Sequence, residues 1–488
     1  MVAPRAAYPL LVARGGGRRL LAGSVAAVLL LLGPPVAAAS PGPAAGQGAG
    51  QGGAPPPPDA ALLAALDPTP RPLTGVRRST ACVAPAAGGE VLVPGAPWAQ
   101  QRLRFTDAWA FTRGAGQTVA VIDTGVSPHP RLAGRLVDGG DFVGGVGAGA
   151  DAGAGEGGGS LADCDGHGTL VAGIVAAAPD PRTGFVGVAP DARVLSFRQS
   201  SATVATARGP GGGNVLTLAE AVVHAVRLGA TVINISEAAC VPAADAARIL
   251  APLRAAVRFA VDSDVVVVAA AGNAGSGACV ASDQAPGGQV VAPAWFADDV
   301  LSVGYTARDG RPGDPSVRGP WVSLSAPGTE IVSLSPTGPG LVDRVEPPGS
   351  GLEQGVEGTS FATPYVSGVV ALVRARRPDL SARQVMDRVR ATAAHPPGPS
   401  GRDDAVGAGT VDPVAAVADV RPVELGAAPP GTGGPPVPRR VDLHPVGDAD
   451  SEPRTVALIG TAGALTLAAA IAAVLVLRRS ARDRRTST

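Results

Sequence analysis

The chain has 488 residues and a formal net charge of +0, with 40 basic residues, every one an arginine, against 40 acidic ones. That balance carries no global signal for nucleic acid. The 68 glycines and 48 prolines cluster in stretches that cannot pack a core, so the chain holds fewer domains than its length alone would allow.

In chain order, residues 1–39 read as an export signal. Arg14, Arg18 and Arg19 precede an apolar run, Leu20 to Leu32, and Ala37-Ala38-Ala39 offers small residues for cleavage before Ser40. The run is short for a membrane anchor. Residues 40–97 form a Pro/Gly-rich extension with one short helical pattern, "DAALLAALD", and Cys82. From Trp98 to Val417 the texture changes to strand–helix alternation. "TVAVIDTG", "ARVLSFR", "ATVINIS", "DVVVVAAAGN" and "VLSVGYT" are near-continuous apolar runs, as parallel strands covered on both faces require. Helical patterns lie among them: "TLAEAVVHAVRLGA", "DAARILAPLRAAVRFAVD" and "DLSARQVMDRVRATA", the last with Ser381 as its N-cap. This alternation predicts one large α/β domain over 98–417. Inside it, Val137 to Cys164 is nearly all Gly, Ala and Asp and reads as a long surface loop. Its Asp spacing matches no defined calcium loop, and neither a metal nor a cofactor is expected.

Residues 418–454 are a Pro-rich linker. Thr455 to Leu477 contains no charge and is long enough for one transmembrane helix. Arg478, Arg479, Arg482, Arg484 and Arg485 follow, so the positive-inside rule places the tail, 478–488, in the cytoplasm and the main body outside. The expected location is therefore the cell membrane, single-pass, with an extracytoplasmic domain. Cys82, Cys164, Cys240 and Cys279 make an even count, which in an exported chain suggests two disulfides among three possible pairings.

In open α/β sheets functional groups gather beyond the carboxyl ends of the strands. Asp123 ends "TVAVI"; His167 stands between Gly166 and Gly168 before a helical run; Asn273 follows "VVVVAAAG"; Ser360 opens the helix "TSFATPYVSGVVAL". Taken singly, these are a turn residue, a solvated histidine, a second turn residue and a helix cap. The other histidines, His129, His224, His395 and His444, have no comparable setting. Ser360 has free backbone N–H groups and the positive end of a helix dipole beside it. Pro364 is tolerable there if it falls in the first turn. The stretch is not Gly-x-Ser-x-Gly, which argues against an α/β-hydrolase. Together the four residues make one machine: Ser360 attacks a peptide carbonyl, His167 moves the proton, Asp123 orients His167, and Asn273 with the Ser360 N–H binds the oxyanion.

The order Asp…His…Ser is that of subtilisin. "VAVIDTGV", "DGHGTLVAG", "VINIS", "AAAGN" and "GTSFATPYVSGVVAL" resemble the successive signatures of the subtilisin-like serine proteases over Trp98 to Val417. A closer resemblance is to the mycosins, membrane-anchored subtilases of actinobacterial type VII secretion systems. It rests on the signal segment, "PWAQQRLRFTDAWAFTRGAGQTVAVIDTGVSPHPRL", "INISEAAC", the Pro-rich flanks and the C-terminal anchor.

The resemblance implies a subtilisin-like three-layer sandwich with a central parallel sheet flanked by helices. It also implies peptide or protein substrates and, as partners, the membrane components of the secretion complex. A scaffold role, with proteolysis secondary, is the alternative it carries. It places Ser236, Glu237, Ala271 and Gly272 along the substrate-binding edge. There "NISEAA" departs from the usual Ser-Leu-Gly, so Glu237 bears on which residue is accepted before the cut. The extension looks too rich in Pro and Gly for the folded propeptide of many subtilases. Within this family frame Cys240 and Cys279, each just past a strand, are expected to lie close, which leaves Cys82 to pair with Cys164 and tie the extension to the rim of the site.

Overall fold

Strand β1 (Thr118–Asp123) has no polar face: Val119 through Asp123 are all buried, as covering on both sides demands. In the computed structural model, which describes residues 54–84, 90–144, 159–207, 209–280, 288–347, 349–394, 396 and 401–418, β1 lies inside a seven-stranded sheet. The other strands are β2 (Leu136–Asp141), β3 (Arg193–Arg198), β4 (Val232–Ile235), β5 (Val266–Ala270), β6 (Leu301–Thr306) and β7 (Leu324–Pro327). The order is β7-β6-β5-β4-β1-β3-β2, and every neighbouring pair is parallel. The chain runs from β1 out to the edge strand β2, returns to β3 between the two, then crosses to β4 on the other side of β1. The sheet therefore changes direction at β1. The carboxyl ends of its neighbours finish level with it, Asp123 opposite Arg198 and Ile122 opposite Ile235. That switch point is where an open α/β sheet forms its crevice.

Helices pack in two pairs. α1 (His167–Ala176) lies on α4 (Thr359–Arg376), which runs along β1, β4, β5, β6 and β7; α2 (Val215–Arg227) lies on α3 (Ala251–Asp262), with α2 against β1 and α3 against β5. α1 is buried from Gly168 to Ala176 and α4 from Thr359 to Val373. Helices apolar all round belong in a core rather than on a surface. α2 starts in a capping box between Asn214 and Thr217, and α5 (Ala382–Ala391) starts at the expected Ser381, in a capping box with Gln384.

Two expectations differ from the structure. "DAARILAPLRAAVRFAVD" is two helices, Ala243–Ile249 and α3, broken at Leu250 because Pro252 supplies no N–H to continue the ladder. The Gly/Asp stretch from Val137 is not all loop. Leu136–Asp141 is strand β2, an edge strand whose pairing needs backbone groups and little side-chain pattern. Residues 145–158 of that stretch lie outside the described residues.

The described parts of the Pro/Gly-rich extension, residues 54–84 and 90–97, pack along the domain. Helix Ala60–Ala65 rests on α3, Arg77 and Arg78 pair antiparallel with Ala205 and Val204, and the Val83 N–H donates to the Cys164 carbonyl. Further on, the Val91 N–H donates to Leu341 and the Gly184 N–H to Val93. Cys82 is bonded to Cys164 and Cys240 to Cys279, with Cα separations of 4.5 and 5.0 Å. Cutting the backbone between Cys82 and Trp98 is therefore expected to leave the N-terminal piece attached. Electrophoresis of mature protein checks this: the piece should separate only after reduction, and its loss without reductant is the contrary result. Among the described residues no helix is long and apolar enough to cross a membrane; the expected export signal and the apolar segment 455–477 lie outside them.

Candidate active site

The level ends of β3, β1 and β4 place three polar residues together: Asp123 closing β1, Ser200 just past β3, and Glu237 just past β4. The Gln199 and Ser200 N–H groups both donate to the Asp123 carbonyl, at 2.8 and 3.2 Å, which ties β3 to the end of β1. The Asp123 side chain has 0% exposure, and its Oδ1 accepts from the Thr124 N–H at 2.8 Å. The His167 Nδ1 lies 2.7 Å from the same oxygen.

His167 reaches Asp123 because α1 begins there. Gly168 makes that approach possible, since a Cβ on it would sit 2.0 Å from the Gly125 carbonyl oxygen. Its N–H donates to Thr124 Oγ1 at 2.9 Å. Two further N–H groups of the helix start go to Asp163. This carboxylate accepts from the Gly166 and Thr169 N–H groups at 2.7 and 2.8 Å, and from the Thr169 and Thr124 hydroxyls at 2.6 and 2.8 Å. Burial raises Asp163 to about 6 even against those donors, and the helix dipole adds to its hold on the helix start. Asp163 is the residue that sequence reasoning missed. Its signal is the spacing in "DCDGHGT", an acid just ahead of a Gly-flanked helix start.

The imidazole of His167 is 29% exposed and rests on the ring of Phe361, the residue after Ser360, with centroids 5.0 Å apart. Burial disfavours its cation. The charge and hydrogen bond of Asp123, then the charges of Glu237 and Asp163, outweigh burial and raise His167 to about 9. Glu237 accepts a short hydrogen bond from the Ser200 hydroxyl. Burial, then the charge of Asp123, pushes Glu237 well above the ordinary carboxylate range, while His167 pulls it back.

Ser360 is 8% exposed, in the first turn of α4. Asn273, two residues beyond the Ala271 that follows β5, is held by its amide oxygen, which accepts from the Thr359 N–H and hydroxyl at 3.0 and 3.1 Å. That anchor turns the Nδ2 donor to the other side, toward Ser360. A Cβ placed on Gly358 would lie 3.0 Å from Asn273 Nδ2 and 3.4 Å from Ser360 Oγ. A glycine with φ +138° keeps that space open between the amide donor and the hydroxyl.

One expectation needs correction. Pro364 is not in the first turn: α4 begins at Thr359, so the proline is interior to the helix. Of the expected substrate-edge residues, Ser236 is buried and its hydroxyl donates to the Ser360 carbonyl at 2.8 Å. Ala271 is fully buried with its N–H on Val303, and the Gly272 carbonyl accepts from Val317. Of the four edge residues, Glu237 alone has its side chain beside the Asp123–His167 pair. No group of acids, histidines and cysteines able to hold a metal occurs among the described residues.

The model of the subtilase family matches residues 114–409, a span that contains all four of these positions. The chain is 46% identical to Mycosin-4 of Mycobacterium tuberculosis over 393 residues, which covers 77% of this chain and 81% of that protein. It belongs to the subtilase family and, within it, to the mycosins. This mycosin is a serine protease of the subtilisin-like type. Its fold matches the crystal structure of MycP1 from Mycobacterium smegmatis with a TM-score of 0.66 and 37% identity, over 78% of this chain and 99% of that one. A chain of an intact ESX-5 inner membrane complex is similar too, with a TM-score of 0.65 and 38% identity over 86% of this mycosin and 98% of its own length.

Proposed function

We propose that this mycosin is a membrane-anchored, extracytoplasmic endopeptidase that cleaves secreted substrates of a type VII secretion system. The observation that carries the catalytic part is the 2.7 Å bond from His167 to a fully buried Asp123, at a helix head whose imidazole rests against the turn of Ser360. Ser360 is the nucleophile, His167 the general base and then the acid, and Asp123 orients and charge-balances the imidazolium. Asn273 Nδ2 and the Ser360 N–H receive the oxyanion, a donor of this kind lowering the barrier by roughly 2.7–4 kcal/mol. Residues 1–39 direct export, 455–477 anchor the chain, and 478–488 face the cytoplasm. The membrane partners follow from the similar chain in the intact ESX-5 inner membrane complex. That same similarity favours a second reading, a structural part in the complex alongside proteolysis. A fluorophosphonate probe tests the catalytic assignment: the adduct should map to Ser360 by peptide mass spectrometry, and folded wild-type protein that takes up no probe is the result that overturns it.

Glu237 brings the reading to substrate choice. Burial and Asp123 disfavour the charge of Glu237, and a basic side chain next to the bond that is cut would restore it, so its acid beside His167 and Ser200 favours such a side chain. Glu237→Gln is expected to lower kcat/KM for an Arg-containing peptide roughly fivefold relative to its neutral counterpart, the scale of a partly exposed ion pair. A second effect has a fixed sign. Glu237 helps raise His167 to about 9, and the base must be neutral to act. Activity should therefore climb as pH rises toward that value, and the variant should reach its plateau at lower pH. A pH–rate profile with an unmoved acid limb contradicts this.

A further inference from the structure

An α-helix interior bonds each carbonyl to the N–H four residues on. In α4 the partner of the Ser360 carbonyl would be residue 364, a proline, which has no N–H and whose ring crowds the carbonyl four residues before it. The gap falls on the residue whose hydroxyl attacks and whose own N–H faces the oxyanion.

That carbonyl is not left without a partner. The Ser236 hydroxyl donates to it at 2.8 Å from just past β4. A hydroxyl has one proton, so the remaining contact of Ser236 must be one it accepts. Asn234 Nδ2 supplies it at 2.9 Å. The orientation of the Asn234 amide is set in turn by Ser367, whose hydroxyl donates to Asn234 Oδ1 at 2.8 Å. Ser367 lies about two turns along α4 from Ser360 and so on the same face. The chain of bonds leaves the helix at Ser367, passes through β4 and returns to the helix at Ser360. Asn234 and Ser367 have 0% exposure and Ser236 has 4%. Three polar side chains in a core of valine and alanine are costly unless they find partners, and here each is hydrogen-bonded to the next.

We propose that Ser236, held by Asn234 and Ser367, is a positioning residue that replaces the amide missing at Pro364 and fixes the backbone of Ser360. The proposal rests on Ser360 being the nucleophile. The Ser236 hydroxyl acts through the Ser360 carbonyl: it sets where the attacking oxygen and the Ser360 N–H stand, and displacements well under an ångström matter to both.

A double-mutant cycle tests it, because alanine at 364 restores an N–H able to bond the Ser360 carbonyl. Ser236→Ala is expected to lower kcat and the rate of fluorophosphonate labelling about tenfold, the scale of one lost hydrogen bond, with KM within about twofold. In a Pro364→Ala background the same change should cost less than about threefold. An equal factor in both backgrounds, or a change confined to KM, overturns the proposal. Where Ser236→Ala does not accumulate as folded protein, Ser367→Ala carries the same cycle with the same expected sign. A Ser360→Ala blank separates the two levels: no Ser360-dependent labelling in the wild type defeats the nucleophile assignment, whereas normal labelling with an additive cycle defeats only the relay.

Discussion

Ser360→Ala is expected to lower kcat for peptide cleavage by roughly 10⁶-fold, the scale reached when the nucleophile of subtilisin is removed. The protein itself should fold and melt as before. Ser360 is 8% exposed in the first turn of α4, alanine has the higher helix propensity, and the exchange removes one oxygen without opening an apolar cavity. The backbone groups of residue 360 are untouched, so the bond from Ser236 to its carbonyl persists. That makes the variant a clean separator of the two roles. In a producing cell it should stop the appearance of new N-termini on secreted proteins while leaving the folded domain available to a membrane complex. Secretion that continues assigns any scaffold role to the fold alone; secretion that stops makes cleavage part of the process. Cleavage surviving at more than about a thousandth of the wild-type rate is incompatible with Ser360 as the nucleophile.

Much of this was legible in the sequence because the chemistry sits where local pattern is strongest. Asp123, Asn273 and Glu237 each follow a short buried run rich in valine and isoleucine, the pattern of strands covered on both faces. Gly168 marks the helix head at His167 for a reason tied to one atom, the Gly125 carbonyl oxygen that a Cβ would strike, and Gly166 for another, its φ of +82°. What stayed hidden depends on contacts between distant segments. β2 carries glycine where strands usually carry branched residues, because it pairs only along one edge. Asp163 looks like a loop residue until the helix start it caps is in place. Ser236 reads as part of a substrate strand, yet its hydroxyl turns inward because Pro364, more than a hundred residues later, leaves a carbonyl there to be bonded. Pattern along one element shows burial and period. It does not show which polar atom a second element will need.

Asp123→Asn should lower kcat by about 10⁴-fold with little change in KM, the scale known for the equivalent change in a serine-protease triad. The argument starts from Oδ1, which accepts from the Thr124 N–H at 2.8 Å and lies 2.7 Å from His167 Nδ1. An amide that keeps its oxygen toward Thr124 and Nδ1 turns its NH₂ elsewhere but loses the charge. An amide that turns its NH₂ toward Nδ1 forces the imidazole into the tautomer whose Nε2 carries the proton and cannot take one from Ser360. Either way the imidazolium that must form loses its counter-charge inside a buried site. The pH dependence has a sign as well. Among the groups that raise His167, Asp123 ranks first, by charge and by hydrogen bond. In the variant the His167 value falls from about 9, so the acid limb of the much reduced activity moves to lower pH. Stability follows by linkage. A histidine raised from its ordinary 6.5 to about 9 contributes stability that is complete below 6.5 and is lost as pH rises through 9. The stability gap between wild type and variant should therefore be widest near pH 6 and narrow as pH passes 9. Denaturant titrations at those two values measure it, and a gap that widens with pH would show that Asp123 does not hold the charge of His167.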